Sequence, residues 1–405
     1  MPSGSMRVLV GALRFGFGFG LGLAAGEPLA APIAVLDKVV VLSRHGVRAP
    51  TQSDARLASW AAHPWPSWPV ARGELTPRGA ELIRWTWAAQ RDGLSAILGA
   101  GCPAPAAVRV HADTDQRTRA TASALLAALA PGCGLRYSVA ATRHDPLFHP
   151  LKAGVCRFDP AAARAAVEAA GGGLTALAQR LRPSLAVIDA VSGMPISSWP
   201  TAVKASRVEV EIAGALGVGS SMAEIFALEW GQWPRHAPAW GALDGASLAA
   251  LMPLHVAVFA QVNRTPYVAE RRGSALLAAI ATALAADDGQ RLVAFVGHDT
   301  NIANVAALLD LQWTLPGRAP NEIPPGSALV FERWREESRT VVRVRFLAPS
   351  PLQMHADPPV GAPPSAALRL ACGTRCDSNE FAAQARRSIR AECVPRQRPT
   401  SPGAP

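Results

Sequence analysis

The chain has 405 residues, 49% of them hydrophobic, and carries 40 Lys plus Arg against 30 Asp plus Glu, a formal net charge of +10. This length supports a large core and two lobes, and the apolar content without any low-complexity tract excludes a disordered protein. The excess is almost wholly scattered arginine, with Lys38, Lys152 and Lys204 the only lysines and no basic block interleaved with aromatics, which excludes a nucleic-acid tract and favours a small anionic ligand.

Residues 1–31 read as a secretory signal. Arg7 and Arg14 supply its charge, and Phe15 to Ala25 form an apolar core too short to span a membrane. Small residues at Gly22, Ala24 and Ala25, or at Ala30-Ala31, offer a cleavage point. No later run reaches the length of a membrane helix, so the expectation is an exported protein that leaves the membrane once the signal is removed. Six cysteines, an even number, suggest disulfides in that setting. Cys372 and Cys376 look like half a zinc site, but no second Cys or His pair stands nearby at ligand spacing, so no metal is expected.

The organising stretch is Val39 to Thr51. The run Leu36 to Ser43 is β-branched and apolar, the pattern of a buried strand. It breaks into Arg44-His45-Gly46-Val47-Arg48-Ala49-Pro50, a histidine flanked by arginines. Open α/β sheets place ligand crevices at such strand ends, and guanidinium forks match phosphate oxygens. The local chemistry is a phosphate held by arginines against an imidazole.

Further along, tryptophans at 60, 65 and 68 and several prolines make an irregular stretch. The tryptophans suit core packing or the stacking of a sugar ring. Thr76 is an N-cap with Pro77 in the first turn of a helix expected to run to Leu98, packing Leu82, Ile83, Trp87 and Leu94 inward. Val108 to Ala112 is a short strand delivering Asp113-Thr114-Asp115-Gln116-Arg117-Thr118 to a helix that ends near Leu129. Arg117 in that first turn can face an anion, whereas Arg119 points to another face. Asp113 or Asp115 can anchor these arginines or cap the helix.

From Asp159 to about Val262 the chain is helical and alanine-rich without convincing strands, an inserted lobe over the crevice. Met222 to Trp233 would set specificity there; Glu224 and Glu229 are either acid–base groups or solvated helix charges. Helices from Leu248 to Ala286 lead to a second buried strand, Arg291 to Val296. It ends in Gly297-His298-Asp299-Thr300-Asn301 and a helix to Leu309, where Asp299 could serve as an N-cap. Two such strands converge on one crevice in a doubly wound sheet. Gly326 to Trp334 and Thr340 to Leu347 form a hairpin, and Asn379 to Ala391 a last helix. The expected fold is α/β: a doubly wound mixed sheet with helices on both faces, plus an inserted smaller α-helical domain. Residues 32–155 and 263–393 make the α/β domain, 156–262 the insert and 394–405 a disordered tail.

Arg44-His45-Gly46-x-Arg48-x-Pro50 together with Gly297-His298-Asp299-Thr300-Asn301 resembles the histidine acid phosphatase family (histidine phosphatase superfamily, branch 2), nearest its bacterial periplasmic phytases. Trp65-Pro66-x-Trp68-Pro69, Leu75 to Gly79 and Asp145 to Cys156 match the same branch; within the last, Phe148 or His149 could touch substrate or simply build the loop. The resemblance implies hydrolysis of phosphate monoesters without a cofactor. His45 would be the nucleophile and Asp299 the proton donor. Arg44, Arg48, Arg117 and His298 would bind the phosphate, and Thr51 and Gln52 would face the substrate. Gln52 stands where typical bacterial phytases carry a lysine. The implied disulfides are Cys102–Cys133, Cys156–Cys393 and Cys372–Cys376.

Phytate is the expected substrate, with a glucose-1-phosphatase or broad acid phosphatase as the alternatives. The arginines beside His45 keep it neutral in mild acid, and a bound phosphate dianion would let Asp299 hold the proton it must give. The expected partner is a small phosphate ester alone, bound by a monomer with no nucleic acid or membrane. Phosphoglycerate-mutase-type enzymes share Arg-His-Gly, but the signal, the cysteines and His298 to Asn301 favour the secreted phosphatases. A non-catalytic phosphate binder would need the arginines yet not both His45 and Asp299.

Overall fold

In a computed structural model that describes residues 34–337 and 339–395, the run Val39–Leu42 is the middle of a strand buried on both faces. The expected signal sequence, and all of the expected tail beyond residue 395, lie outside the described residues. The elements begin with β1 (Ala34–Arg44), α1 (Asp54–Ala58), α2 (Pro77–Ala88), α3 (Arg91–Leu98), β2 (Val108–Ala112), α4 (Gln116–Leu129) and β3 (Ser138–Val139). Next come α5 (Pro160–Ala169), α6 (Gly173–Ser192), β4 (Ala202–Ala205), β5 (Val210–Ala213), α7 (Ala215–Gln232), α8 (Gly245–Asn263) and α9 (Pro266–Ala285). The chain continues through β6 (Leu292–Gly297), α10 (Asp299–Leu308), β7 (Ala328–Glu336), β8 (Arg339–Leu347), α11 (Pro351–His355), β9 (Ser365–Leu368), β10 (Cys376–Asp377) and α12 (Ser378–Ser388).

The main sheet runs β10-β8-β7-β1-β6-β2-β3, with β9 also on β8. The pairs β1/β6, β6/β2 and β2/β3 are parallel, whereas β1/β7, β7/β8 and the outer pairs are antiparallel, so the sheet is mixed as expected. Alternation divides β1 between two cores. Val40 and Leu42 join Phe295 and the α9 and α10 residues Leu277, Ile280 and Ile302 on one face. Val39 and Val41 join Ile83, Trp87 and Leu125 of α2 and α4 on the other. Burial on both faces is why β1 and β6 read as continuous apolar runs. After β1 the chain covers one face on its way to β2; after β6 it covers the other on its way to β7. The crevice at the ends of β1 and β6 is therefore a topological switch point.

Thr76 caps α2 as expected, its Oγ1 accepting from Gly79 N at 2.9 Å. The helix does not run to Leu98: it stops at Ala88, and α3 restarts at Arg91. Beyond β3 a third core is built by α5 to α8, with Leu177, Leu185, Leu216, Phe226 and Leu254 at its centre. That stretch contains a hairpin, β4 paired antiparallel with β5, which the alanine-rich composition concealed. Val203 and Ile212 face each other across it and are buried.

Helix α8 corrects another expectation, for its 19 residues are long and apolar enough to cross a membrane by length and composition. Here they pack instead, with Leu248, Leu251, Met252, Leu254, Val258 and Val262 in the third core. All six cysteines are paired, as Cys102–Cys133, Cys156–Cys393 and Cys372–Cys376.

Candidate active site

β1 presents Arg44 and His45 at its C-terminal end, and β6, in parallel register with Arg44 opposite Gly297, presents His298 and Asp299 beside them. The loop between is stitched down by backbone donors. Arg44 N donates to Ser327 O at 2.8 Å, Gly326 N to His45 O at 2.9 Å, and Thr76 N to Val47 O at 3.0 Å. Gly46 N donates to Thr121 Oγ1 at 3.1 Å. This loop lies directly on the start of α2: a Cβ on Gly46 would come within 2.8 Å of Gly79 O, and one on Gly79 within 2.2 Å of Val47 O. Glycine is required at both by space alone.

His45 is buried, with Nδ1 2.8 Å from Gly46 O. A carbonyl can only accept, so Nδ1 carries the proton and Nε2 keeps its lone pair. Burial, followed by the charges of Arg117, Arg44 and Arg48, holds this imidazole well below its usual range. The ring is thus a neutral base or nucleophile that survives into acid.

The guanidiniums of Arg44, Arg48 and Arg117 surround it. Arg44 NH2 is 2.5 Å from Glu224 Oε1 and 2.9 Å from Asp299 Oδ2, while NH1 donates to Ile323 O. Arg48 NH2 lies 3.3 Å from the same Glu224 oxygen. Arg117 NH2 is 2.5 Å from Asp115 Oδ2 and 3.4 Å from His298 Nδ1. The Nε atoms of all three arginines are buried with no hydrogen-bond partner. Unpartnered charged donors converging in one crevice are suited to an anion. Arg119 is exposed on another face of α4.

His298 rather than Asp299 caps α10, and its N–H donates to Asn301 Oδ1 at 2.9 Å. Asp299 opens the helix with Oδ1 accepting from Thr300 N at 2.7 Å and Oδ2 toward Arg44. Asp113 anchors no arginine. Its Oδ2 accepts from His298 Nε2 at 2.6 Å and from His149 Nε2 at 2.7 Å. Burial opposes ionisation of Asp113, but the bonds from His149 and His298 hold it far below the carboxylate range. His149 thus supports the site through Asp113, whereas Phe148 is buried behind Gly297.

Asp113, Asp115, His149 and His298 bring ligand atoms within 4.8 Å of one another, so they could hold a cation together. Asp113 Oδ2, the two imidazole Nε2 atoms and Asp115 Oδ2 are instead spent on each other and on Arg117, while Asp113 Oδ1 is buried without a partner. Cys372, Cys376 and Glu380 form a similar group, but there the two sulfurs are bridged.

Neither glutamate of α7 is a solvated helix charge. Gly231 lets the helix pass close over the loop, where a Cβ would lie 2.9 Å from Val47 Cγ2. Leu228 and Glu224, one and two turns earlier on that face, follow it inward. Burial opposes ionisation of Glu224, but Arg48 and Arg44 hold it at about 2. Glu229 is buried beneath the turn after α7, with Oε2 accepting from Ala239 N at 2.9 Å, and burial pushes it up to about 7 from an ordinary 4.5. A carboxyl raised in the folded state stabilises the fold below about pH 4.5, and that stability drains as pH rises through 7. Replacing Glu229 with Gln should leave urea stability near pH 4 almost unchanged and raise it near pH 8 by on the order of 1–3 kcal/mol. An equal shift at both values would refute the assignment.

The other two predicted substrate contacts sit at the rim. Thr51 is exposed and lies over Gly73 next to Arg117. Gln52 lines a cleft with Trp65, Trp68 and Arg72, its Oε1 buried and unpartnered. The structure does not bring Gln52 into hydrogen-bonding contact with the arginines around His45.

The family model described as histidine phosphatase superfamily (branch 2) matches residues 35–183 and 246–347. A phytase of Escherichia coli (strain K12) is 38% identical over 76% of this chain and 78% of its own length. A glucose-1-phosphatase of Salmonella typhimurium is 28% identical over 79% of this chain and 82% of its own. Among solved structures, the Hafnia alvei phytase in complex with myo-inositol hexakis sulphate superposes with a TM-score of 0.84 at 36% identity, covering 90% of this chain and 99% of that one.

Proposed function

This chain belongs to the histidine phosphatase superfamily (branch 2), and on that premise we propose that it is a phytase-like acid phosphatase working through a phosphohistidine intermediate. It is a phosphoric monoester hydrolase. The observation that carries the mechanism is the neutral, buried His45 with Nε2 free, surrounded by three arginines whose Nε donors lack partners.

Nε2 of His45 attacks phosphorus; the N–P bond forms as the P–O bond to the alcohol breaks. Arg44, Arg48 and Arg117 hold the phosphoryl oxygens, joined by His298 when Nδ1 takes a proton and turns from Arg117 to them while Nε2 stays on Asp113, so the transition state is met by positioned charges. Asp299 gives its proton to the departing alcohol, then takes one from the water that cleaves the N–P bond and frees inorganic phosphate. His45 returns neutral. Glu224 must leave Arg44 and Arg48 before phosphate can bridge them.

Phytate is favoured by the abundance of arginine and by the likeness to several phytases. Gln52 and the glucose-1-phosphatase likeness support the smaller ester as a second reading. We read residues 156–262 as the lobe that sets this choice, and the protein as an exported monomer acting on small phosphate esters.

The test is phosphate release in mildly acidic buffer containing a chelator, comparing kcat/KM for phytate, glucose 1-phosphate and p-nitrophenyl phosphate. We expect phytate to lead. We also expect the rate to hold as pH falls below the ordinary histidine range near 6.5. Preference for the small esters would make the protein a sugar or general phosphatase, and absence of turnover would leave a phosphate binder.

A further inference from the structure

The segment between α10 and β7 contains a second ion pair, which lines a mostly apolar cavity together with Arg44 and Glu224. Arg318 NH1 meets Glu322 Oε1, and the two side chains are only 6% and 5% exposed. Arg318 also donates Nε and NH2 to Pro349 O at 3.1 and 2.7 Å. Glu322 Oε2 accepts from Ala319 N at 3.0 Å, and its backbone carbonyl accepts from Trp313 Nε1 at 2.9 Å. Both charged side chains are thereby fixed on the backbone around them. The next carbonyl, Ile323 O, receives Arg44 NH1.

A buried ion pair is weak evidence for stability, because desolvation offsets its attraction. Its position is more informative. A guanidinium is a planar fork, so fixing NH1 on one carbonyl sets the direction of Nε and NH2. NH2 is the group that meets Glu224 and Asp299 in the crevice. Arg318 is close enough for its charge to act on Arg44, and Glu322 balances it. Either partner alone would leave an uncompensated charge in the cavity that Arg44 also lines.

We propose that the Arg318–Glu322 pair is a positioning device for Arg44, holding Ile323 O so that the Arg44 fork meets the transferring phosphoryl group. The inference rests on Arg44 being a phosphate ligand.

The experiment compares Arg318→Met, Glu322→Gln, the double variant and Arg44→Lys by steady-state turnover of p-nitrophenyl phosphate, competitive inhibition by inorganic phosphate, and thermal melting. Each single variant should lower kcat by about ten- to a hundredfold, the scale of a displaced catalytic group, and weaken phosphate inhibition. The double variant should regain at least about tenfold over the worse single, because no charge is left unpaired. It also serves if a single variant fails to fold. Arg44→Lys should be slow. Single variants within about twofold of wild-type kcat, or a double variant no better than the singles, would overturn the positioning role while Arg44→Lys remained slow. An Arg44→Lys enzyme with wild-type kcat would remove the phosphate-ligand reading itself, and this inference with it.

Discussion

Replacing His45 with alanine is expected to abolish turnover, by about 10⁴-fold or more, while the protein stays folded and still binds inorganic phosphate. The side chain makes one hydrogen bond, to Gly46 O at 2.8 Å, so its loss should cost only about 1 kcal/mol of stability. Its chemical loss is of another order. Nδ1 is committed to a carbonyl, and Nε2 is the atom the mechanism uses to form the N–P bond. His298 cannot stand in, because its Nε2 is held by Asp113 at 2.6 Å and its Nδ1 faces Arg117. Rapid acid-free quenching with labelled substrate should trap phosphohistidine on the native protein and none on the variant. Turnover within tenfold of wild type would place the nucleophile elsewhere.

Converting Asp299 to asparagine should separate the two halves of the reaction. With an alkyl ester such as phytate, the departing alkoxide needs a proton, and losing a positioned acid should cost about 10²–10⁴ in kcat. An aryl leaving group needs little help, so with p-nitrophenyl phosphate the first step should remain fast. The second step still lacks its base. The variant should then release one burst of nitrophenol and accumulate phosphohistidine. Asp299 Oδ2 also lies 2.9 Å from Arg44 NH2, so the substitution could act merely by shifting that arginine. Equal losses on both ester types without a burst would favour that lesser role.

Much of the site was legible because its residues lie where patterns break. β1 and β6 are apolar on both faces, and both switch abruptly to histidine at the crevice. Arg117 followed from helical geometry, since a residue in the first turn of α4 looks toward the sheet end and Arg119 does not. The carboxylates were harder. Helical periodicity could show that Glu224 and Leu228 share a face, but not that α7 crosses Val47 closely enough to carry Glu224 onto two arginines. Asp113 looked like a cap or an arginine anchor, because its imidazole partners come from loops 36 and 185 residues away in sequence. The hairpin β4–β5 was missed for a local reason: its strands are four residues each inside an alanine-rich stretch. α8 exceeded the expected apolar length because it is a core helix with neighbours on several sides. Ile323 acts through its carbonyl, a group that side-chain identity does not reveal.

The position of Glu224 changes what affinity means here. At rest the protein supplies its own anion to Arg44 and Arg48, which spares these two buried cations from repelling one another undiluted. Phosphate binding at these arginines, as proposed, is then an exchange reaction, and its free energy is the difference between two anions rather than the full attraction of one. A ligand that offers no more than a single carboxylate displaces its rival at little gain. A phosphate ester brings more negative charge and more acceptor oxygens, enough to use the idle Nε donors that Glu224 leaves untouched. The resident competitor therefore acts as a threshold, and selectivity is set by what each ligand offers above it.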